Sequence, residues 1–101
     1  KPDPDGRKLP PLNNLGMVYS RWGKHREALR FYQEALSYTT EESKKSIRIS
    51  KIGMTWYHLK DYDKALEYLN QALRIDLKYN HEIKAGIRKN EISTVIAAMG
   101  R

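Results

Sequence analysis

Two stretches of the sequence share one pattern: LGMVYSRWGKHREAL at residues 15–29 and IGMTWYHLKDYDKAL at residues 52–66. Each stretch has a glycine inside an apolar pattern of helical spacing, and an alanine follows that glycine after twelve residues. A glycine in the middle of a helix costs about 1 kcal/mol relative to alanine. Its recurrence at equivalent places therefore indicates a packing reason, because small residues let two paired helices approach closely while larger side chains interlock around them.

The sequence repeats when it is compared with itself at a shift of 37 residues, as from Gly16 to Gly53. A shift of 40 residues extends the pattern to a divergent third unit, with Lys89 where an apolar residue is expected. Seven pairs of similar residues align at the first shift, and so many matches in one register indicate an internal repeat. The pairs at the first shift are Leu12/Ile49, Leu15/Ile52, Gly16/Gly53, Tyr19/Trp56, Ala28/Ala65, Tyr32/Leu69 and Ala35/Ala72.

Apolar residues at spacings of three and four predict five helices, and no segment alternates with the period of a strand. The fold class is therefore predicted to be all-α. Residues suited to helix ends separate the five patterns. They are Pro10 and Pro11 in the first turn of the first helix, Gly23 after it, a Thr39–Glu42 capping box for the third, Asp61 as the cap of the fourth, and Asn80 as the cap of the fifth.

The repeat resembles the tetratricopeptide repeat (TPR) family, whose pattern runs W-x2-L-G-x2-Y, then alanine, an aromatic residue and proline. The seven aligned pairs carry the resemblance, while Thr40 and Leu77 replace the closing proline. The resemblance implies a right-handed superhelix of antiparallel helix pairs. It divides the chain into a linker at 1–8, TPR-like repeats at 9–41 and 42–79, and the first helix of a divergent or truncated third repeat at 80–101.

The repeat lengths of 37 and 40 residues exceed the usual 34 of that family. Such longer arrays resemble those of large adaptor and regulatory proteins, including bacterial sensor and transcription-regulator assemblies. The chain begins at Lys1 rather than Met and stops just after an apolar helical pattern. We therefore expect it to be a piece of a longer regulatory protein.

Composition limits the function classes. The 101 residues contain no cysteine, which excludes a disulfide scaffold and a thiolate metal site and fits a reducing, cytoplasmic location. No apolar run approaches the ~20 residues of a membrane span. The net charge of +7 indicates an acidic partner, or alternatively an ordinary solvated helical surface that carries more lysine than glutamate.

The resemblance implies a concave groove, lined by the first helix of each repeat, that binds a peptide or protein segment. Asn13, Ser50 and Asn90 would form a polar row suited to a peptide backbone. Met17 and Met54 would adapt to varied apolar side chains. The alternative is that these are ordinary solvated positions. The expected groove residues are Asn13, Met17, Ser20, Arg21, Ser50, Lys51, Met54, Tyr57, His58, Asn90 and Thr94, with Ala97 and Ala98 beside them.

Four cations at matching repeat positions form a second candidate site, Lys44 with Lys84 and Arg48 with Arg88. They would attract carboxylates or phosphates, and arginine suits bidentate contacts. Nucleic acid is a less favoured partner because the aromatic residues lie in the packing pattern rather than between the basic residues. The carboxylate clamp of TPR co-chaperones is also disfavoured, because Met17, Ile87 and Glu91 replace residues it requires.

No catalytic chemistry is predicted, because the sequence lacks a cysteine nucleophile, a glycine-rich phosphate loop and a histidine pair at metal spacing. We expect no cofactor and no metal. The primary hypothesis is thus a protein-interaction scaffold of a signalling protein. The alternative is a structural spacer or an oligomerisation segment that self-associates through the fifth helix, where Ile83 and Ile87 widen the apolar surface.

Overall fold

The computed structural model describes residues 11–100, so the predicted linker at 1–8 and Pro10 lie outside the described residues. Residues 11–100 form helices without any strand, which confirms the all-α prediction. The helices are α1 (Leu12–Arg21), α2 (His25–Ser37), α3 (Glu42–His58), α4 (Tyr62–Lys78) and α5 (Glu82–Met99).

Each helix packs against the next one in the chain, and the short turns between them make neighbours antiparallel. Helix α3 also contacts α5, so these two helices, each the first of its pair, lie side by side. The described residues form a flat body of 44 × 33 × 17 Å, as expected for stacked helix pairs rather than a sphere.

The two glycines of the opening pattern lie where a second helix approaches most closely. A Cβ atom at Gly16 would lie 2.5 Å from a ring carbon of Tyr32 on α2. A Cβ atom at Gly53 would lie 3.0 Å from Leu69 Cγ and 3.2 Å from the carbonyl oxygen of Ala65, both on α4. The packing reason inferred from the sequence is therefore confirmed at both positions.

The core consists of two clusters that share α3. The first contains the buried Ala28, Leu29, Tyr32 and Ile52, and the second contains Ala65, Leu69 and Val95. Trp56 packs against both clusters. Because one helix serves both halves, the helix pairs are expected to unfold together.

Two helix ends lie where the sequence predicted them, and the start of α1 is shifted by one residue. Gly23 ends α1 in the left-handed region with φ 77°, and Lys60, at the equivalent place after α3, has φ 68°. Asp61 caps α4, as predicted, and its Oδ1 accepts a hydrogen bond of 3.2 Å from Lys64 N. Pro11 was expected in the first turn of α1 but lies one position before it, as the N-cap, where its carbonyl oxygen accepts the first bonds of the helix.

Two predicted caps are wrong. Helix α3 begins after Glu41 without a side-chain cap, and Thr39 Oγ1 instead donates to the carbonyl oxygen of Ala35 in α2. Thr39 therefore satisfies the end of the preceding helix rather than the start of the next. Asn80 does not cap α5 either, because it occupies the left-handed turn at φ 58° and His81 takes the capping position.

Candidate functional site

A groove pocket lies between α1, α3 and α5, with one side chain contributed by α2. Its cavity volume is about 260 Å³ and it opens to solvent. Most of its wall comes from one face of α3, because residues four and seven positions apart recur on the same side of a helix. The lining residues are Ser20, Tyr32, Ile47, Ser50, Lys51, Met54, Thr55, His58, Arg88 and Glu91.

The hydroxyl groups of α3 in the pocket bond to their own helix. Ser50 Oγ donates to the carbonyl oxygen of Ile47 at 2.8 Å, and Thr55 Oγ1 donates to that of Lys51 at 2.7 Å. Such bonds satisfy the hydroxyl donors without any external partner. The wall that α3 offers to a ligand is therefore mainly the apolar side chains of Met54 and Ile47, the ammonium group of Lys51 and the imidazole ring of His58.

Arg88 and Glu91 form a buried ion pair in the wall contributed by α5. Arg88 Nε lies 2.9 Å from Glu91 Oε1, and the two side chains are 7% and 24% exposed. Nε therefore lies at hydrogen-bond distance from the carboxylate, whereas Nη1 is buried and has no hydrogen-bond partner among residues 11–100. The pair is thus an ionic contact that leaves the Nη1 donors of Arg88 without an acceptor.

Burial raises the pKa of Glu91, because the charged carboxylate is removed from water. The positive charges of Arg88 and Lys51 lower this pKa and partly oppose the effect of burial. The negative charge of Asp76 on α4 raises it further. Two cations and two carboxylates therefore influence one another across α3, α4 and α5.

Asp76 is the second buried carboxylate of this cluster and is fully buried. Its Oδ1 lies 3.9 Å from His81 Nδ1, and neither carboxylate oxygen accepts a hydrogen bond from the described part of the chain. Its backbone oxygen accepts a bond of 2.8 Å from His81 N, which fixes the turn between α4 and α5. Asp76 thus places negative charge close to the wall of the pocket without lining it.

A pair of stacked histidine rings involves His58 of the pocket. His25 and His58 have ring centroids 4.8 Å apart and an interplanar angle of 14°. Burial lowers the pKa of His58, and the neighbouring His25 and Lys60 lower it further. The stacked rings give the groove an aromatic surface at His58.

The sequence-predicted groove residues divide into two groups. Ser20, Ser50, Lys51, Met54 and His58 line the pocket. Of the expected polar row, only Ser50 lines it. The others lie elsewhere: Asn13 is half-buried, Met17 packs on the first core cluster, Tyr57 packs on the second, and Arg21, Asn90, Thr94 and Ala97 are exposed, while Ala98 is half-buried.

The predicted cationic patch is not an even row of exposed charges. Lys44 is exposed and lies 3.5 Å from Glu41, while Arg48 and Lys84 are half-buried. Arg88 is only 6% exposed and lines the groove pocket. The structure therefore places Arg88 with the groove residues rather than on an exposed cationic surface.

Five lining residues were missing from the predicted groove. Glu91 lies 40 positions after Lys51, so the alignment of the repeats already placed it in the groove register. Arg88 precedes it by three residues, which is the spacing of an ion pair on one helix face. The spacing of an ion pair was therefore visible in the sequence, but the burial of that pair in the groove was not. The missing residues are Tyr32, Ile47, Thr55, Arg88 and Glu91.

Metal and membrane sites are not found in residues 11–100. No group of three or more His, Cys, Asp or Glu side chains there could hold a metal ion. None of the helices described here is long and apolar enough to cross a bilayer. The groove pocket is a concave feature whose wall includes the buried polar side chain of Arg88.

Comparison with known families decides the class of domain. The model of the RNPP family C-terminal domain matches residues 7–86, which is most of the chain. The chain belongs to the RNPP C-terminal domain family. RNPP C-terminal domains are TPR-like helical domains, which bind proteins or peptides and are generally non-catalytic.

This RNPP C-terminal domain is also similar to a TPR-containing protein, anaphase-promoting complex subunit 3 of Schizosaccharomyces pombe. The two are 36% identical over 64 residues, which is 63% of this chain and 9% of that relative. The chain thus spans less than a tenth of the relative's length. Because the relative is a yeast protein, the match gives no support to the bacterial origin expected from the repeat length.

Proposed function

We propose that this RNPP C-terminal domain is a non-catalytic interaction module that binds a peptide or protein segment in the groove pocket. The observation that carries the proposal is the cavity of about 260 Å³ between α1, α3 and α5, whose wall combines Met54 and Ile47 with the charged Lys51 and Arg88. Apolar walls with a few polar groups are typical of binding sites.

The size of the cavity favours a segment of polypeptide over a cofactor. Pockets for drug-sized molecules usually measure about 300–1,000 Å³. A cavity of about 260 Å³ is smaller than this range and is open along the groove. It therefore suits one or two side chains of a segment whose backbone lies outside the pocket.

Residues that flank the pocket would extend the contact along the groove. Asn90 and Thr94 are exposed on α5, and Arg21 is exposed at the end of α1. The amide of Asn90 can both donate to and accept from a peptide backbone. The proposal also includes repeats at 9–41, 42–79 and 80–101, a cytoplasmic location and a role in signalling.

A cavity-filling substitution tests the proposal. Peptides selected from a random phage-displayed library on the 101-residue chain would be compared for binding to Ser20→Phe and Ser37→Phe. Ser20 lines the pocket, whereas Ser37 is exposed on α2 and serves as a control with the same change. We expect Ser20→Phe to lose binding and Ser37→Phe to keep it. Equal binding by both variants would contradict a peptide site in the pocket.

Self-association through α5 is a second proposal, carried by apolar side chains on that helix. Ile83 is 83% exposed, and Ile87, one turn further on the same face, is 44% exposed. Exposed apolar patches mark interaction sites. Light scattering over a dilution series is expected to show a mass that falls toward the monomer, and Ile83→Ser/Ile87→Ser should be monomeric throughout. A wild-type chain that is monomeric at every concentration would contradict self-association.

A further inference from the structure

We infer that the groove pocket selects a segment carrying an aspartate or glutamate side chain, whose carboxylate binds between Arg88 and Lys51. This inference rests on the proposed function, since it names the chemistry of the ligand at the same site. Arg88 is on α5 and Lys51 is on α3, and both line the pocket. The carboxylate would therefore bridge the two helices across the groove.

The first support is the state of the Arg88 guanidinium. Its side chain is 7% exposed, and Nη1 is buried without a hydrogen-bond partner in the described residues. A guanidinium has five N–H donors in a planar fork that matches a carboxylate. Buried donors without acceptors cost free energy. Because Nη1 has almost no accessible surface, an incoming carboxylate would reach it after a small rotation of the Arg88 side chain toward the cavity, and the new contact would recover that cost.

The second support is the position of Lys51, together with the fact that two hydroxyl groups of α3 in the pocket already donate to their own helix. Lys51 is half-buried and lines the same pocket, and its charge already lowers the pKa of Glu91. The hydroxyl groups of Ser50 and Thr55 are engaged with their own helix. Lys51 and Arg88 are therefore the positively charged donors of the pocket, beside neutral donors such as the Tyr32 hydroxyl, and a charge-assisted contact to a carboxylate is stronger than a neutral one.

The charge balance favours a singly charged carboxylate. Glu91 and Asp76 bring two formal negative charges close to the two formal positive charges of Lys51 and Arg88, since Asp76, Lys51 and Arg88 all act on Glu91. A doubly charged phosphate would meet stronger repulsion from these two groups than a carboxylate would. Glu91 also shows that a side-chain carboxylate can approach Arg88, since its Oε1 lies 2.9 Å from Nε.

The opening of the cavity favours a side chain over a chain terminus. A segment whose backbone follows the groove can insert one side chain into a cavity of about 260 Å³ while continuing in both directions. A C-terminal carboxylate would require the segment to end inside the pocket. We therefore assign the carboxylate to an aspartate or glutamate side chain within an extended segment.

Two peptide pools provide the test. They are acetylated, amidated heptapeptides with a fixed central Glu or Gln and random uncharged residues around it, captured by the immobilised chain and quantified by mass spectrometry. The expected Glu/Gln capture ratio is about 10 for the wild type, corresponding to about 1.4 kcal/mol. Arg88→Gln is expected to reduce the ratio to about 1. Lys51→Gln is expected to reduce it to about 3.

Matched variants separate a contact with the ligand from a general effect of charge. Lys89→Gln removes an exposed cation on α5 that lies outside the pocket and should leave the ratio unchanged. Glu91→Gln removes the carboxylate that competes for Arg88 and should raise the ratio above that of the wild type. If circular dichroism shows that Arg88→Gln does not fold, the capture ratios of Lys51→Gln and Glu91→Gln test the inference instead. Ratios equal to that of the wild type in both variants would then contradict it.

Three results would overturn the inference. Capture of both pools at a ratio near 1 by the wild type would contradict it and leave the proposed function standing. Capture of neither pool would contradict the proposed function and the inference with it. A third pool with central Gln and a free C terminus, captured as well as the Glu pool, would assign the carboxylate to a chain end instead.

Discussion

The close approach of α1 to α2 at Gly16 makes a specific prediction about stability. In Gly16→Ala the new Cβ atom would lie 2.5, 2.7 and 2.9 Å from three ring carbons of Tyr32. Tyr32 is 4% exposed and belongs to the first core cluster, so its ring can withdraw only by shifting toward the groove pocket that it also lines. The helix pair must therefore separate locally or the ring must leave its place in the core.

The expected change in the free energy of unfolding of Gly16→Ala follows from two opposing effects. Replacing a mid-helix glycine by alanine ordinarily stabilises a helix by about 1 kcal/mol. Overpacking a well-filled core costs about 1–3 kcal/mol. Because three ring atoms lie inside contact distance, we take the upper end and expect a net loss of about 2 kcal/mol. In a domain of this size that loss lowers Tm by roughly 8–16 °C.

Gly86→Ala is the matched control, because a Cβ atom there would meet nothing within 4 Å. We expect this variant of α5 to gain about 1 kcal/mol from helix propensity alone. Thermal and urea unfolding of the wild type and both variants, followed by circular dichroism, measure the difference. A Gly16→Ala variant as stable as Gly86→Ala would refute the argument that close packing requires the repeated glycine.

Three further predictions concern helix ends and pH. Asp61→Ala should lose the cap to Lys64 N and about 1 kcal/mol of stability in urea unfolding, and an unchanged midpoint would contradict the cap. Lys60→Gly should raise stability by up to about 1 kcal/mol in the same assay, because φ 68° suits glycine, and a loss would contradict this. The low pKa of His58 means that below about pH 6.5 the unfolded chain binds a proton that the folded chain resists. Stability should therefore fall as pH drops from 7.5 to 5.5, and less so in His58→Gln; an equal fall in both chains would contradict this role of His58.

The fold followed from local patterns in the sequence. Apolar spacing located all five helices, and the repeated glycines indicated the tight helix pairs, because both signals arise from neighbours on one helix face. The helix caps were harder to predict. Thr39 and Asn80 have residue types that serve equally well as a cap or in a turn, so only the geometry of the chain decides between these roles.

The groove was only partly predictable for a different physical reason. Ser50, Lys51 and Met54 lie on one face of a helix whose register the repeat fixed. The contribution of α5 depends on how the helix rotates when Val95 enters the second core cluster, and that rotation turns Arg88 inward. A divergent helix with a weak apolar face does not reveal its rotation in the sequence, so Arg88 was expected on the surface.

Site-specific photocrosslinking tests the central claim, peptide binding in the groove pocket, most directly. A photoreactive phenylalanine would replace His58, which lines the pocket, or Asn70, which is exposed on α4 and outside it. With a selected peptide bound, we expect a crosslink from position 58, none from position 70, and competition by unlabelled peptide. Crosslinking from position 70 alone would contradict the claim and place the ligand on the outer face of the helices.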